Sequence, residues 1–445
     1  MGVDVRTASI HPLEQPPTID FPHARTEAQP GRGALAVLGG DLMVRVADGR
    51  LLPYANLDIA ATAPCAVVAA EAVTRLLPSY ASVHRGAGVL SQHCTRAYEQ
   101  ARAAVARFVG CRPGDQVVFT RNSTDALNLL AHVVPASTPV LTFLGEHHAN
   151  LLPWRQTVHL PLPRTPGEAV AAVDEALRRH GPALVAVTAT SNVTGEVWPV
   201  AEIARVARWH GARVVVDAAQ LAAHGPVSLA DLDVDYLVLS GHKLYAPFGA
   251  GVLAGRADWM DAARPYLSGG GASRHVGSDG TVQWALGPGR HEAGTPNLVG
   301  AVAMAAVCEA VTATGWAALT HHEQQLLERL DAGLATVAGV HRLVLFGPAH
   351  PRLGIAAFAV AGLDSAEVAR RLADDHGIGV RDGLFCAHPL TRHLLASAPT
   401  RLPGTAVRAS LGAGTTREQV DRLVAAVARI AAQAPSQRPA SRDIA

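Results

Sequence analysis

Leu237-Val238-Leu239-Ser240-Gly241-His242-Lys243-Leu244-Tyr245 runs from an apolar stretch into a polar turn, and Lys243 is the sole lysine in a chain of 445 residues. Every other basic side chain is arginine or histidine. Arginine stays protonated at ordinary pH, whereas an ammonium can lose its proton and condense with a carbonyl. A lysine kept where arginine serves everywhere else therefore points to imine chemistry. Compositional drift in an arginine-rich, alanine-rich chain is the alternative, and the neighbouring residues decide between the two.

Outward from Lys243, short apolar runs alternate with helical periodicity. Gln116 to Thr120, Pro139 to Phe143, Ala183 to Thr188, Arg213 to Asp217 and Tyr236 to Ser240 read as strands. Ser123 to Ala131, Glu168 to Arg179 and Val200 to Trp209 read as helices between them. Such alternation predicts an α/β fold, a mainly parallel sheet covered by helices on both faces, with ligands at the carboxyl ends of the strands. Before it, Leu51 to Ala60 reads as a strand and Arg96 to Val109 as a helix. A long helix follows Pro296, from Leu298 to Val311. Beyond it the pattern changes to a smaller α+β unit: helices over Glu323 to Thr336, Ser365 to Asp374 and Thr416 to Ala432, and strands near Leu343 and over Ile355 to Val360.

Hydrophobic residues make up 49% of the chain and charged ones 17%, the balance of a globular protein with an ample core. A net charge of +1 leaves no electrostatic footprint for nucleic acid or an anionic membrane. The five cysteines, Cys65, Cys94, Cys111, Cys308 and Cys386, show no CxxC pairing. That pattern argues against a disulfide framework or a zinc site and predicts a reducing, cytoplasmic setting. No leader-like start or membrane-length apolar run is evident.

Several candidate groups stand at strand ends. Asp217 closes Val214-Val215-Val216-Asp217, where a carboxylate enters the ligand crevice, although it could equally cap a helix or pair at the surface. Arg121-Asn122-Ser123-Thr124-Asp125 lies between a strand and a helix. Small hydroxyl residues at a helix start suit an anion, and they also serve as an ordinary cap. Glu146-His147-His148-Ala149-Asn150 follows another strand, where an imidazole could stack on an aromatic ring or simply face solvent. No carboxylate or cysteine at ligand spacing supports a metal. In order along one alternating sheet, with the sole lysine last, these groups converge on pyridoxal phosphate. A carboxylate there keeps a pyridine nitrogen protonated, which makes the ring an electron sink.

The chain resembles the fold-type I, class V aminotransferase-like enzymes, and within them the cysteine desulfurases that also show selenocysteine lyase activity. The resemblance runs from about residue 50 to about 430. It rests on Leu57-Asp58-Ile59-Ala60-Ala61, Tyr80-Ala81-Ser82-Val83-His84-Arg85-Gly86, Glu146-His147-His148-Ala149-Asn150, Ser191-Asn192-Val193-Thr194-Gly195, Ser240-Gly241-His242-Lys243, Glu292-Ala293-Gly294-Thr295-Pro296-Asn297 and Arg408-Ala409-Ser410-Leu411. It implies a large domain over 60–312 with a seven-stranded sheet and a small domain over 313–433. A segment over 33–59 would pack on the small domain, with a flexible extension over 1–32 and a disordered tail over 434–445.

By the same resemblance, Lys243 holds the cofactor in Schiff-base linkage and moves the substrate proton. Asp217 pairs with the ring nitrogen, Gln220 bonds the phenolic oxygen and His147 stacks on the ring. Ser123, Thr124, Ser240 and His242 hold the phosphate, with Thr295 reaching across from the partner of a homodimer. Ala60, His84, Arg85, Asn192 and Arg408 border the amino-acid substrate, and Arg408 with Asn192 grips its carboxylate, a role suited to a planar guanidinium.

Arg381-Asp382-Gly383-Leu384-Phe385-Cys386-Ala387-His388-Pro389-Leu390 carries the remaining decision. In the desulfurases a loop cysteine at this place takes the sulfur and becomes a persulfide, for delivery to an acceptor protein. The thiolate is the nucleophile, and Arg381, His388 and Arg85 are candidate positive neighbours. The other fate for a free cysteine is to be a small buried hydrophobe. Gly383 and Pro389 mark a loop. The segment departs from the family at Asp382 and at Leu384-Phe385, where threonine and two histidines are usual. The interval from Cys386 to Arg408 is also longer than in compact-loop desulfurases. The resemblance thus leaves open another class V reaction, a lyase, epimerase or aminotransferase in which Cys386 takes no sulfur.

Overall fold

Strands that are apolar on both faces, such as Val140–Phe143 and Tyr236–Ser240, can be buried only in the middle of a layered protein. The computed structural model describes residues 35–434. The extension expected over 1–32, and all but the first residue of the tail expected over 434–445, lie outside them.

Seven strands form the central sheet: β1 (Asp115–Thr120), β2 (Val140–Phe143), β3 (Thr157–Leu160), β4 (Leu184–Thr188), β5 (Arg213–Asp217), β6 (Tyr236–Ser240) and β7 (Gly251–Arg256). Their order is β1-β7-β6-β5-β4-β2-β3. All neighbours pair in parallel except β7, which runs antiparallel to both β1 and β6. Helices α1 (Val89–Phe108), α2 (Ser123–Val133), α3 (Pro166–His180), α4 (Val200–Trp209) and α5 (Leu298–Thr314) cover it. Alternate strand residues divide between two cores. Val185, Val216 and Leu239 join α1, α3, α4 and α5 on one face, and Leu184, Val215 and Val238 join α2 on the other.

Past Gly315 (φ +82°) the chain bends by 88° into α6 (Trp316–Ala335). The rest is β8 (Val340–Arg342), β9 (Ile355–Val360), α7 (Ser365–His376), β10 (Arg381–Gly383), α8 (His388–Ala396), β11 (Ala406–Ser410) and α9 (Arg417–Ala432). The four strands make an antiparallel sheet in the order β8-β9-β11-β10. Ala55 and Leu57 share its buried core with Leu326, Phe358 and Val427, and Ala55–Asn56 pairs in parallel with Ile378–Gly379. Thr416 opens α9 with a capping box closed by Gln419. Among the described residues no single helix is long and apolar enough to cross a membrane.

The strands read from the sequence between Gln116 and Ser240 are present, but β3 and β7 are additions. Gly249, Gly251 and Gly255 disguise β7 as a loop. Gly251 has a tertiary reason: a Cβ there would stand 2.4 Å from the Asn122 Cα, so only glycine lets β7 lie against the loop before α2. The strand expected over Leu51 to Ala60 is two short pieces, Leu51–Pro53 and Ala55–Asn56. Helix α1 begins at Val89, well before Arg96. Pro389, read as a loop marker, occupies the first turn of α8, where a missing N–H costs nothing.

Gly251→Ala is therefore expected to destabilise the protein by about 1–3 kcal/mol through overpacking. Urea unfolding measures it, with Gly289→Ala, whose added methyl meets nothing within 4 Å, as the near-neutral control.

Candidate active site

The parallel strands β5 and β6 end side by side, and the chain that leaves them supplies the centre of the site. Asp217 is the last residue of β5 and is 6% exposed. Its Oδ1 accepts from Ala219 N at 3.0 Å, the only hydrogen bond to the carboxylate among the described residues. Burial pushes its pKa up, opposed by the positive charge of Lys243. Lys243 follows β6 after the turn Ser240-Gly241-His242. It opens onto a cavity and is otherwise enclosed by protein. Burial lowers its pKa first, while Asp217 and Cys386 favour the ammonium and Arg408 opposes it.

That cavity, about 240 Å³, is lined by Ala60, Ser123, Thr124, His147, Asn192, Gln220, Ser240, His242, Lys243, Cys386 and Arg408, all singled out in the sequence. Arg381, a candidate positive neighbour of Cys386, lines it as well, together with Ala61, Asn122 and Phe385, which had been assigned no part. At one end stands the start of α2. Asn122 caps the helix through Asp125 N (2.9 Å), and Ser240 Oγ takes Ser123 N at 2.8 Å while donating to Ser123 Oγ at 2.9 Å. The Thr124 N–H is left with no intrahelical acceptor at the positive end of the helix dipole. An anion fits there. Gln220 spends one amide hydrogen on Ala60 O (2.9 Å) and keeps the other. His147 accepts Ala149 N on Nδ1 at 3.1 Å, so its proton sits on Nε2. Burial and the nearby Lys243 hold its pKa at about 3, and the ring is neutral.

Arg408 comes from β11 and is 3% exposed. Its Nη1 donates to Asn192 O and its Nη2 to Asp58 Oδ1, each at 3.0 Å, while Nε has no partner among the described residues. A buried guanidinium with an unspent donor facing a cavity suits a carboxylate. Asp58 belongs to a quoted motif, but its role in holding Arg408 had no signal in the sequence.

Cys386 is exposed at the cavity, so it is not the buried hydrophobe that the sequence allowed. Phe385 (φ +54°) and Cys386 (φ +52°) are consecutive left-handed residues, a conformation costing on the order of 1 kcal/mol or more each. Two donors hold the bend. Asn192 Nδ2 reaches Phe385 O and His148 N reaches Cys386 O, both at 2.8 Å. The His148 and His388 rings meet edge to face at 4.5 Å beside it.

Four assigned residues are not among the lining: Asp217, which closes β5, and three that lie elsewhere. His84 bonds Glu99 through Nε2 (2.8 Å), Arg85 donates to Gly294 O (2.7 Å), and Thr295 is exposed next to that carbonyl. They form a separate outer face of the same chain.

Glu146 was quoted but given no role. It is 1% exposed, and its oxygens accept Thr188 N and Asn150 Nδ2 at 2.9 Å each, fixing the His147 loop to β4. Burial pushes its pKa up to about 8. The folded state thus keeps a proton that the unfolded chain releases above its ordinary 4.5, so this group's stabilisation is lost as pH rises from about 4.5 to 8. Glu146→Gln should flatten that part of the decline, read as melting temperature against pH.

The chain matches the family model described as aminotransferase class-V over residues 55–423. A cysteine desulfurase of Dickeya dadantii is 39% identical over 394 residues, covering 85% of this chain and 92% of that protein. Among solved structures, the apo cysteine desulfurase of Thermococcus onnurineus superposes with a TM-score of 0.77 at 32% identity, covering 85% of this chain and 95% of that one. An S-sulfonic acid form of an Escherichia coli cysteine desulfurase gives 0.73 at 31% identity, covering 84% and 94%. With the family model spanning most of the chain and these relatives aligned nearly end to end, the protein belongs to the class V aminotransferase family.

Proposed function

We propose that the protein is a cysteine desulfurase dependent on pyridoxal phosphate, converting L-cysteine to L-alanine and leaving the sulfur as a persulfide on Cys386. The observation that carries this reading is one cavity bordered by both the enclosed amine of Lys243 and the exposed thiol of Cys386. The residues present fit the cofactor. Asp217 has a carboxylate with spare capacity for a ring N–H, and His147 offers an uncharged ring. Gln220 has a free amide hydrogen, and the start of α2 with Ser123, Thr124, Ser240 and His242 offers donors for a phosphate. When bound, pyridoxal phosphate supplies an electron sink for negative charge at the substrate carbon bearing the amino group.

The chain's own groups do the rest. Arg408, steered by Asp58 and Asn192, orients the substrate carboxylate. Burial lowers the pKa of Lys243 and so eases loss of its ammonium proton; the free Nζ can take and return the proton at that carbon. Cys386 Sγ attacks the substrate sulfur; a sulfur–sulfur bond forms, the carbon–sulfur bond breaks with its electron pair left on the substrate carbon, which takes a proton to become the methyl group of alanine, and the sulfur stays on the enzyme. Neutral His147 can donate from Nε2 without bringing a second positive charge beside Lys243.

We also propose a large domain (60–312) and a small domain (313–433) meeting at this cavity, with 33–59 packed on the latter. In a homodimer, Thr295 would reach the partner's cavity. Support comes from the outer face it shares with Arg85, where Leu267, Val276, Val282 and Leu286 are exposed and apolar. A cytoplasmic setting is consistent with five free cysteines.

Incubation of the purified holoenzyme with L-cysteine should yield alanine and a mass gain of one sulfur on the peptide containing Cys386. Lys243→Ala should lower turnover by about a thousandfold or more. Cys386→Ser should abolish the persulfide. If Cys386→Ser still turns over another amino acid at the parent rate, a lyase or epimerase replaces this reading.

A further inference from the structure

The proposed reaction holds the two ends of its substrate from different sheets. Lys243 follows β6 of the seven-stranded sheet, and Arg408 lies in β11 of the four-stranded one. An amino group and a carboxylate attached to one carbon fit between them only if that spacing is held to well within about 1 Å. The turn after Lys243 carries a residue with no part yet in the site. Tyr245 is 3% exposed and lies at φ +55°, a left-handed conformation that an aromatic residue avoids. It persists only where the surroundings impose it.

Here they do. Ala246 N closes the turn on Gly241 O at 2.8 Å, and Ala66 N donates to Tyr245 O at 2.9 Å. A further bond leaves the seven-stranded sheet altogether: the Tyr245 Oη accepts Ala413 N at 2.9 Å, on the chain that leaves β11 and Arg408. Among the described residues, no other side chain over 241–246 bonds to that segment. The fit is tight as well, since a Cβ at Gly412 would stand 2.4 Å from the phenol oxygen. A second buried contact joins neighbouring segments. Tyr245, His224, Glu323 and Gly412 border one cavity of about 10 Å³. There His224 Nδ1 meets Glu323 Oε2 at 2.5 Å, while Glu323 Oε1 accepts Gly354 N at 2.6 Å. His224 stands just past Gln220, and Glu323 belongs to α6. A ring packed only to fill space needs no bonded hydroxyl.

We propose that Tyr245 is a positioning residue whose hydroxyl sets the spacing between Lys243 and Arg408, and with it the fit of an α-amino carboxylate, an inference that rests on the substrate placement given above. Tyr245 acts through Arg408 and touches none of the reacting atoms. The substrate carboxylate keeps its charge and its place throughout the reaction. Its grip therefore contributes equally before and during the chemical step, and weakening it raises KM rather than lowering kcat.

Two variants of the holoenzyme test it: Tyr245→Phe removes the hydroxyl alone, and Gly412→Ala crowds it. Each is expected to raise KM for L-cysteine about tenfold, with kcat within about twofold of the parent. The dissociation constant of L-alanine, read from the absorbance of the bound cofactor, should rise by the same factor. Cofactor content and resting absorbance should match the parent's. In an Arg408→Lys background, where the bidentate grip is already gone, Tyr245→Phe should add less than about twofold, as expected of two residues acting through one contact. A hydroxyl that merely stabilises the fold would lower the melting temperature and leave both constants alone. Unchanged constants, a fall in kcat at constant KM, or the full effect persisting in the Arg408→Lys background overturns the proposal. Should the parent make no alanine from L-cysteine, the desulfurase reading falls, and the L-alanine dissociation constants still decide the role of Tyr245.

Discussion

One buried guanidinium ties the site together. Arg408 on β11 donates at once to Asp58, from the segment before the central sheet, and to Asn192, from the loop after β4. Its charge also lies 5.4 Å from the centre of the Phe385 ring. Three stretches far apart in sequence are therefore held at one point, and the Cys386 bend is among them because Asn192 also grips Phe385 O. Burying such a charge is expensive, and removing one partner of a buried pair typically costs about 3–5 kcal/mol. The arrangement is tolerable because charges of both signs meet there. Lys243 and Arg408 are opposed by Asp217 and Asp58; burial lowers the pKa of Lys243, and Asp217 works against that lowering.

The central sheet was legible where its local rules agree with its environment. Strands such as Val214–Asp217 and Leu237–Ser240 are apolar on both faces because helices cover both. Strand β7 broke the pattern. Its glycines answer to a neighbour, the backbone of Asn122, that is remote in sequence and invisible to periodicity. The same contact explains why the one antiparallel strand matters to function: β7 runs beside β6 and buttresses the loop whose donors face the cavity.

The candidate site was legible to the extent that chemistry restricts residue choice. A sole lysine, a carboxylate at the end of a strand and small hydroxyl residues before a helix stand out in any chain; the cavity unites the lysine with the hydroxyl residues, and the charge of Asp217 acts on Lys243. Asp58, Asn122 and Glu146 were not assignable, because each acts by fixing a second residue and carries no mark of its own. The αL pair at Phe385-Cys386 was equally hidden. Neither residue type favours a positive φ, and the bend exists because two donors from other segments, Asn192 and His148, pull its carbonyls into place.

The departures at Leu384-Phe385 acquire a physical sense from that bend. Phe385 is 7% exposed, and its ring faces Arg408, where a histidine could bring a second positive charge. An aromatic wall there excludes water from the guanidinium, which strengthens its hold on a carboxylate, since electrostatic attraction grows as the local dielectric falls. The imidazoles near the thiol come instead from the other side, from His148 and His388, whose rings meet at 4.5 Å.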